Sequence, residues 1–178
     1  GDVAYWERLF ADFLSGVAAD EAVRRFANGK NVVVRYHVQD LDLVFHTGFT
    51  GDPPVTGMGE PAVAPHLTLR MTSAVLDDVF MERISGMKAA MGGKMAFSGN
   101  TMRAMTLQRV QKDLNRVYKV ARERAGEPPV AVGGDERVVS SAASSQRRPQ
   151  PVSYTHLRAH ETVLDLVCRL LLDKKNRT

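Results

Sequence analysis

Apolar positions in the first third of the chain follow two different periods. Val3, Trp6, Phe10, Phe13 and Leu14 recur at helical spacing up to Gly16, and Ala22, Val23 and Phe26 continue the pattern between Ala18 and Asn28. Gly16 and then Asn28-Gly29 supply stops, which predicts two short opening helices. After Gly29 the period drops to two. Val32, Val34, Tyr36 and Val38 alternate with Val33, Arg35 and His37, and Leu41, Leu43 and Phe45 alternate with Asp40, Asp42, Val44 and His46. The short link through Gln39 predicts that these two strands pair antiparallel.

A loop rich in Gly and Pro follows from Thr47 to Pro65, with an edge strand expected near Val55 to Met58. Leu67, Leu69 and Met71 then alternate with Thr68 and Arg70, and the hydroxyls of Thr72-Ser73 are placed to cap a helix from Ala74 to about Ile84. A second short helix is expected from Met87 to Met91, ending at Gly92-Gly93, and a further strand from Lys94 to Ser98. The last helix, capped by Asn100 or Thr101, carries Leu107, Val110, Leu114, Val117, Tyr118 and Ala121 on one stripe. Every strand offers one apolar face, and helices precede, interrupt and follow the sheet. The expected class is α+β: a single two-layer domain with about five mostly antiparallel strands, covered by helices on one face.

Charge and cysteine change the picture once they are divided along the chain. The 178 residues carry a net charge of +4, but residues 1–124 contribute +2 (16 Lys+Arg, 14 Asp+Glu) and residues 152–178 contribute the other +2 (five and three), together with the only cysteine, Cys168. The stretch Val152 to Thr162 resembles a translation of the transposon-end adapter used in sequencing libraries. Leu166 to Leu172 continues the adapter in frame, after a gap the length of a sample index. Residues 152–178 are therefore read as a non-native tail and excluded from the fold. Residues 125–151, with Pro128-Pro129, Gly133-Gly134 and the Ser-rich run Ser140 to Ser145, hold no aromatic residue and are expected to be a disordered extension. The domain is expected within residues 1–124. The chain opens on Gly1-Asp2 with no initiator Met, as expected for a gene fragment whose start, signal or upstream domain lies before it. A basic total without a basic domain removes the argument for a nucleic-acid partner. One cysteine excludes a disulfide scaffold, and no apolar run reaches the roughly 18 residues of a membrane span.

All eight methionines lie between Met58 and Met105. Methionine is unbranched and polarizable, so a cluster of it either fills core gaps or conforms to a flexible apolar ligand. The run His66-Leu-Thr-Leu-Arg-Met-Thr-Ser, the helix ending near Gly86, the pair Gly93-Lys94 and the strand closing on Gly99-Asn100 together resemble the sterol carrier protein type 2 family. The N-terminal Trp6, the paired strands before residue 47 and the last helix with Tyr118 extend that resemblance over residues 3–124. Met81-Glu82-Arg83 departs from the apolar approach to the glycine that the family leads one to expect.

The resemblance implies a five-stranded sheet with helices over one face, enclosing an apolar tunnel for a fatty acid, fatty acyl-CoA or sterol. It brings no catalytic residue, no cofactor and no metal, and it implies transient membrane contact and a cytoplasmic setting. The expected lining is Phe45, Met71, Val79, Phe80, Met87, Met91, Met95, Met102 and Met105, with Arg70, Lys88 or Arg103 able to meet a carboxylate or phosphate head group. Two other readings stay open. A domain of this kind can be the accessory lipid- or substrate-binding module of a larger enzyme. Alternatively, His37, Asp40, Asp42 and His46 around the first hairpin offer imidazole and carboxylate for a metal-dependent enzyme.

Overall fold

The computed structural model describes residues 2–84 and 86–129, so the expected extension from residue 130 onward and the adapter-like tail lie outside the described residues. The period of two becomes a sheet. β1 (Val32–Val38) pairs antiparallel with β2 (Leu43–Phe49), which pairs antiparallel with β3 (Val55–Met58). β4 (Leu67–Met71) runs parallel to β1 and antiparallel to β5 (Met95–Gly99), giving the strand order β3-β2-β1-β4-β5.

Residues in register share a face, so the alternation lines up in rows. Met58, Phe45, Tyr36, Leu69 and Phe97 stand side by side across the sheet, and Leu43, Val38, Met71 and Met95 form the next row. All of them except Met58, at the sheet edge, belong to or pack on one apolar core. The opposite face carries Arg35, His37, His46, Thr68, Arg70 and Ser98. The link from β3 to β4 is tied to that face, where Glu60 accepts two hydrogen bonds from Arg35 at 2.7 and 2.9 Å.

The helices depart from expectation at three ends. Gly16 does not stop the first helix: α1 runs Asp2–Ala19, and α2 (Glu21–Ala27) starts after Asp20, whose carboxylate accepts from the Val23 N–H at 3.1 Å. Gly16 serves packing instead, because a Cβ at that position would stand 2.8 Å from Val117 Cγ1 on the last helix. The next helix, α3 (Ser73–Phe80), ends well before Ile84. Glu82 turns left-handed at φ 63°, and Arg83 folds back onto Asp77 and Asp78. Thr72 caps α3 as expected, whereas Ser73 donates both its N–H and its hydroxyl to Asp40, each at 2.7 Å.

The expected last helix is divided into α5 (Thr101–Leu107), a 3-10 turn (Gln108–Val110) and α6 (Gln111–Ala125). Its apolar stripe survives the division, since Leu107, Val110, Leu114, Val117, Tyr118 and Ala121 are all buried. Between α3 and β5 lies α4 (Gly86–Met91).

Aromatic rings fill the layer between α1, α6 and the sheet. Tyr36 stacks on Phe45 at 4.6 Å between ring centroids, Phe10 reaches Phe45 at 4.9 Å, and Phe13, Phe80 and Tyr118 meet edge-on or tilted at 5.3 to 5.7 Å. Two charges are buried beside them. Asp77, 3% exposed, accepts from Tyr118 Oη at 2.6 Å, from Arg122 Nε at 2.9 Å and from Arg83, and Arg122 itself is 6% exposed.

Burial raises the Asp77 carboxyl, but the hydrogen bonds from Arg122, Tyr118 and Arg83 outweigh it and hold the group below its ordinary value of 3.8. A carboxyl depressed in the folded state adds stability that is complete above the unfolded value and disappears as pH falls through the folded one. The stability advantage over Asp77→Asn is therefore expected to be full at neutral pH and to shrink below about pH 4. Urea unfolding at a series of pH values measures it; an advantage that grows on acidification contradicts the assignment.

Candidate functional site

The half of the sheet away from α1 is where the apolar layer changes character. On β4 and β5 the inward positions are Leu67, Leu69, Met71, Met95 and Phe97, flexible or singly placed side chains rather than a stack of rings. Leu76, Val79 and Phe80 of α3, Ala89 of α4, and Ala104 and Leu107 of α5 belong to the same core. The buried positions of α4 and α5 include the small residues Ala89 and Ala104.

The nine expected lining residues separate into distinct groups. Met71, Val79 and Met95 are buried in this half, at 1%, 7% and 7% exposure. Phe45 and Phe80 are also buried, but their rings are engaged by Tyr36, Phe10, Phe13 and Tyr118 in the aromatic core. The side chain of Met87 lies outside the described residues. Met91, Met102 and Met105 face outward, at 70%, 70% and 45% exposure, so the structure does not place them within an enclosed layer. The reason is local: α5 spends its inward positions on Ala104 and Leu107, which leaves Met102 and Met105 on the other side. Leu69 and Phe97, which the expected set does not include, share the inward face with Met71 and Met95 in the same period-two alternation.

The suggested head-group cations are placed elsewhere or already held. Arg70 is on the outer face and donates to Ser98 Oγ at 3.4 Å. Arg103 donates to the Asn31 carbonyl and lies 2.9 Å from His66 Nε2. Burial, and then the Arg103 charge, push the His66 imidazole below its usual range, so it is neutral at pH 7. Lys88 is exposed on α4.

A separate cavity of about 250 Å³ lies between α1 and the end of α6, lined by Tyr5, Arg8, Leu9, Asp12, Arg124 and Ala125. Its lining mixes polar and apolar groups, with Arg124 bonded twice to Asp12 at 3.1 and 3.2 Å, and includes no residue of the sheet.

The hairpin does not assemble into a metal centre. Asp40 is committed to Ser73, His46 Nδ1 to the Gly59 carbonyl at 2.9 Å, and His37 Nε2 reaches Asp42 only at 3.8 Å. Among the described residues no three His, Cys, Asp or Glu side chains could hold a metal ion. Nor is any helix among them long and apolar enough to cross a membrane.

A sheet of order β3-β2-β1-β4-β5 with apolar helices on one face defines an α+β domain, and its sequence identifies which one. The profile of the SCP-2 sterol transfer family matches residues 10–112, and the chain belongs to that family. Among solved structures, sterol carrier protein domain 2 of Helicoverpa armigera is similar at 13% identity, with 65% of this chain and 91% of that one covered and a TM-score of 0.51. A crystal structure of sterol carrier protein 2 is similar at 16% identity, covering 65% and 94%, with a TM-score of 0.47. The inverting sec-alkylsulfatase Pisa1 from Pseudomonas sp. is similar at 14% identity with a TM-score of 0.40; the match takes in 62% of this chain but only 16% of that one. No curated protein sequence matches the chain.

Proposed function

We propose that the chain is a non-catalytic lipid carrier that holds a long acyl chain, as a fatty acid or fatty acyl-CoA, or a sterol-like molecule in an apolar tunnel between β4–β5 and the helices α3, α4 and α5. The observation that carries this reading is the family match over residues 10–112, which spans every strand and the helices over the apolar half of the sheet. The lining would be Met71, Val79 and Met95 with Leu69 and Phe97. Burying about a dozen methylenes favours binding by roughly 0.8 kcal/mol each, before the cost of ordering the ligand is subtracted. Few polar contacts are then needed.

Two features support a carrier over an enzyme. Imidazole and carboxylate groups around the first hairpin are engaged in structural hydrogen bonds, as with Asp40 on Ser73 and His46 on Gly59. The inward side chains of β4 and β5 are apolar and offer no nucleophile or base.

Organic extraction of the purified full chain, followed by mass spectrometry, tests the reading. Long-chain lipid is expected to copurify, and Phe97→Glu is expected to deplete it about tenfold or more, because a carboxylate beside the acyl chain must be desolvated or must displace it. Phe97 is only half-buried on the edge strand, so the variant is expected to fold. Equal lipid content in the two proteins would count against this placement of the ligand.

A further inference from the structure

We propose that His66 and Arg103 form a binding site for an oxyanion, a carboxylate or phosphate carried by an anionic amphiphile or free in solution. As the head-group end of a lipid tunnel the site rests on the carrier reading. As a pair of hydrogen-bond donors without an acceptor it stands on its own geometry.

The site lies at the end of the sheet where the parallel strands β1 and β4 begin, β5 ends and α5 begins. The His66 backbone is fixed there on both sides: its N–H donates to the Val33 carbonyl at 2.8 Å, and its carbonyl accepts from the Asn100 N–H at 2.9 Å. The ring nitrogen Nδ1 accepts from the Val33 N–H at 3.0 Å. A backbone amide only donates, so Nδ1 keeps its lone pair and the proton of the neutral ring is on Nε2. Moving that proton to Nδ1 would leave the N–H of Val33, a residue 3% exposed, without an acceptor.

His66 Nε2 in turn faces Arg103 Nη1 at 2.9 Å. A guanidinium has donors and no acceptor, so an N–H stands against an N–H at hydrogen-bond distance. That contact is unfavourable by itself and becomes favourable when an oxyanion beside the pair accepts from both nitrogens. Nη1 also donates to the Asn31 carbonyl, and the Arg103 N–H donates to Asn100 Oδ1 at 3.0 Å, which holds the cation in place without neutralising it. Among the described residues no ion pair engages Arg103, and Nε and Nη2 have no acceptor. No acidic residue stands between Glu82 and Asp113, and the charge acting on the His66 ring is that of Arg103 alone.

The surroundings suit an amphiphile. His66 and Arg103 are half-buried, whereas Leu67 and Ala104, the residues that follow them, belong to the apolar core. An acyl chain lying in that layer would bring its carboxylate to the two donors at the layer's edge. A sterol or fatty alcohol offers only a neutral hydroxyl, and a charged acceptor makes hydrogen bonds about twice as strong.

Displacement of a fluorescent fatty acid from the delipidated full chain tests the preference, with palmitate set against hexadecanol, a chain of equal length without the charge. Palmitate is expected to bind about tenfold more tightly or better. Arg103→Gln is expected to remove that preference, and Arg103→Lys, which keeps the cation but not the planar fork, to recover part of it.

Nitrogen-15 spectra of the His66 imidazole and the Arg103 guanidinium locate the anion without a variant. The His66 proton is expected on Nε2, and both groups are expected to shift saturably with palmitate. A matching response to inorganic phosphate, with none to chloride at equal ionic strength, makes a free anion a ligand as well; a response to palmitate alone assigns the site to the cargo's head group. The proposal is overturned if hexadecanol binds as tightly as palmitate, if Arg103→Gln keeps the preference, or if neither anion moves the two groups. A chain that takes up neither lipid but responds to phosphate at both groups loses the carrier reading and keeps the oxyanion site. Equal uptake of both lipids with silent resonances does the reverse.

Discussion

Asp77→Ala is expected to destabilise the chain by about 3–5 kcal/mol, the cost of removing one partner from a buried ion pair. The carboxylate takes hydrogen bonds from three side chains, and the variant leaves Arg122, buried at 6% exposure, with only the exposed Glu127 at 3.5 Å as a counter-charge. It also frees the Tyr118 hydroxyl inside the core and releases Arg83 from the turn after α3. For a chain of this length the melting temperature should fall by about 10 °C or more.

Thermal and urea unfolding measure the loss, and the partner substitution distinguishes its cause. Arg122→Met in the Asp77→Ala background is expected to recover part of the stability, since an apolar side chain replaces a cation that has lost its buried partner. If the double variant is worse than the single by the full effect of Arg122→Met alone, the two residues are not coupled and the network is misassigned.

Gly99→Ala carries the second large effect, for a different physical reason. Gly99 has φ 132°, and a Cβ there would lie 2.2 Å from the His66 carbonyl oxygen and 2.9 Å from Leu67 Cα. Both obstacles are backbone atoms of the paired strand and cannot rotate away. Opening β5 from β4 is the available relief, and about 3 kcal/mol or more is expected to be lost. Gly16→Ala offers a comparison, because its obstacle is one side-chain methyl of Val117 at 2.8 Å; about 1 kcal/mol is expected there. Hydrogen exchange localises the first effect: amides of β5 should lose protection in Gly99→Ala while those of β1 and β2 retain theirs. Uniform loss across the sheet contradicts the local account.

The sheet was largely readable because strict alternation leaves one solution to which face is buried. Val32 to Val38 and Leu67 to Met71 are strands at the positions their period indicates, and Val55 to Met58 is the edge strand expected within the Gly- and Pro-rich stretch. Helix ends were less readable, since glycine has two uses. Gly16 looks like a stop in one dimension, and only the approach of Val117 from a distant helix shows that it is a packing residue within α1. No Gly or Pro marks the break at Gln108–Val110 that separates α5 from α6.

The buried network was invisible for a similar reason. Asp77 and Arg122 lie 45 residues apart with no local pattern that marks either as buried, and their burial emerges only when α3 and α6 are brought side by side. Composition signalled the methionines but not their directions. Met71 and Met95 turn inward on neighbouring strands, whereas Met102 and Met105 sit opposite the Ala104–Leu107 side of a short helix and turn outward. Had the helix been read at its own period, the small Ala104 and the Leu107 would have marked the buried side.

Binding of a long acyl chain by the folded protein is the claim on which the functional account depends. Titrating the purified full chain with a fluorescent long-chain fatty acid in vesicle-free buffer, then adding unlabelled lipid, measures it directly. The account predicts saturable enhancement at about one probe per chain, displacement by an unlabelled fatty acid, fatty acyl-CoA or sterol, and about tenfold weaker uptake in Phe97→Glu. A chain that is fully folded by circular dichroism and shows no saturable or displaceable binding would contradict it.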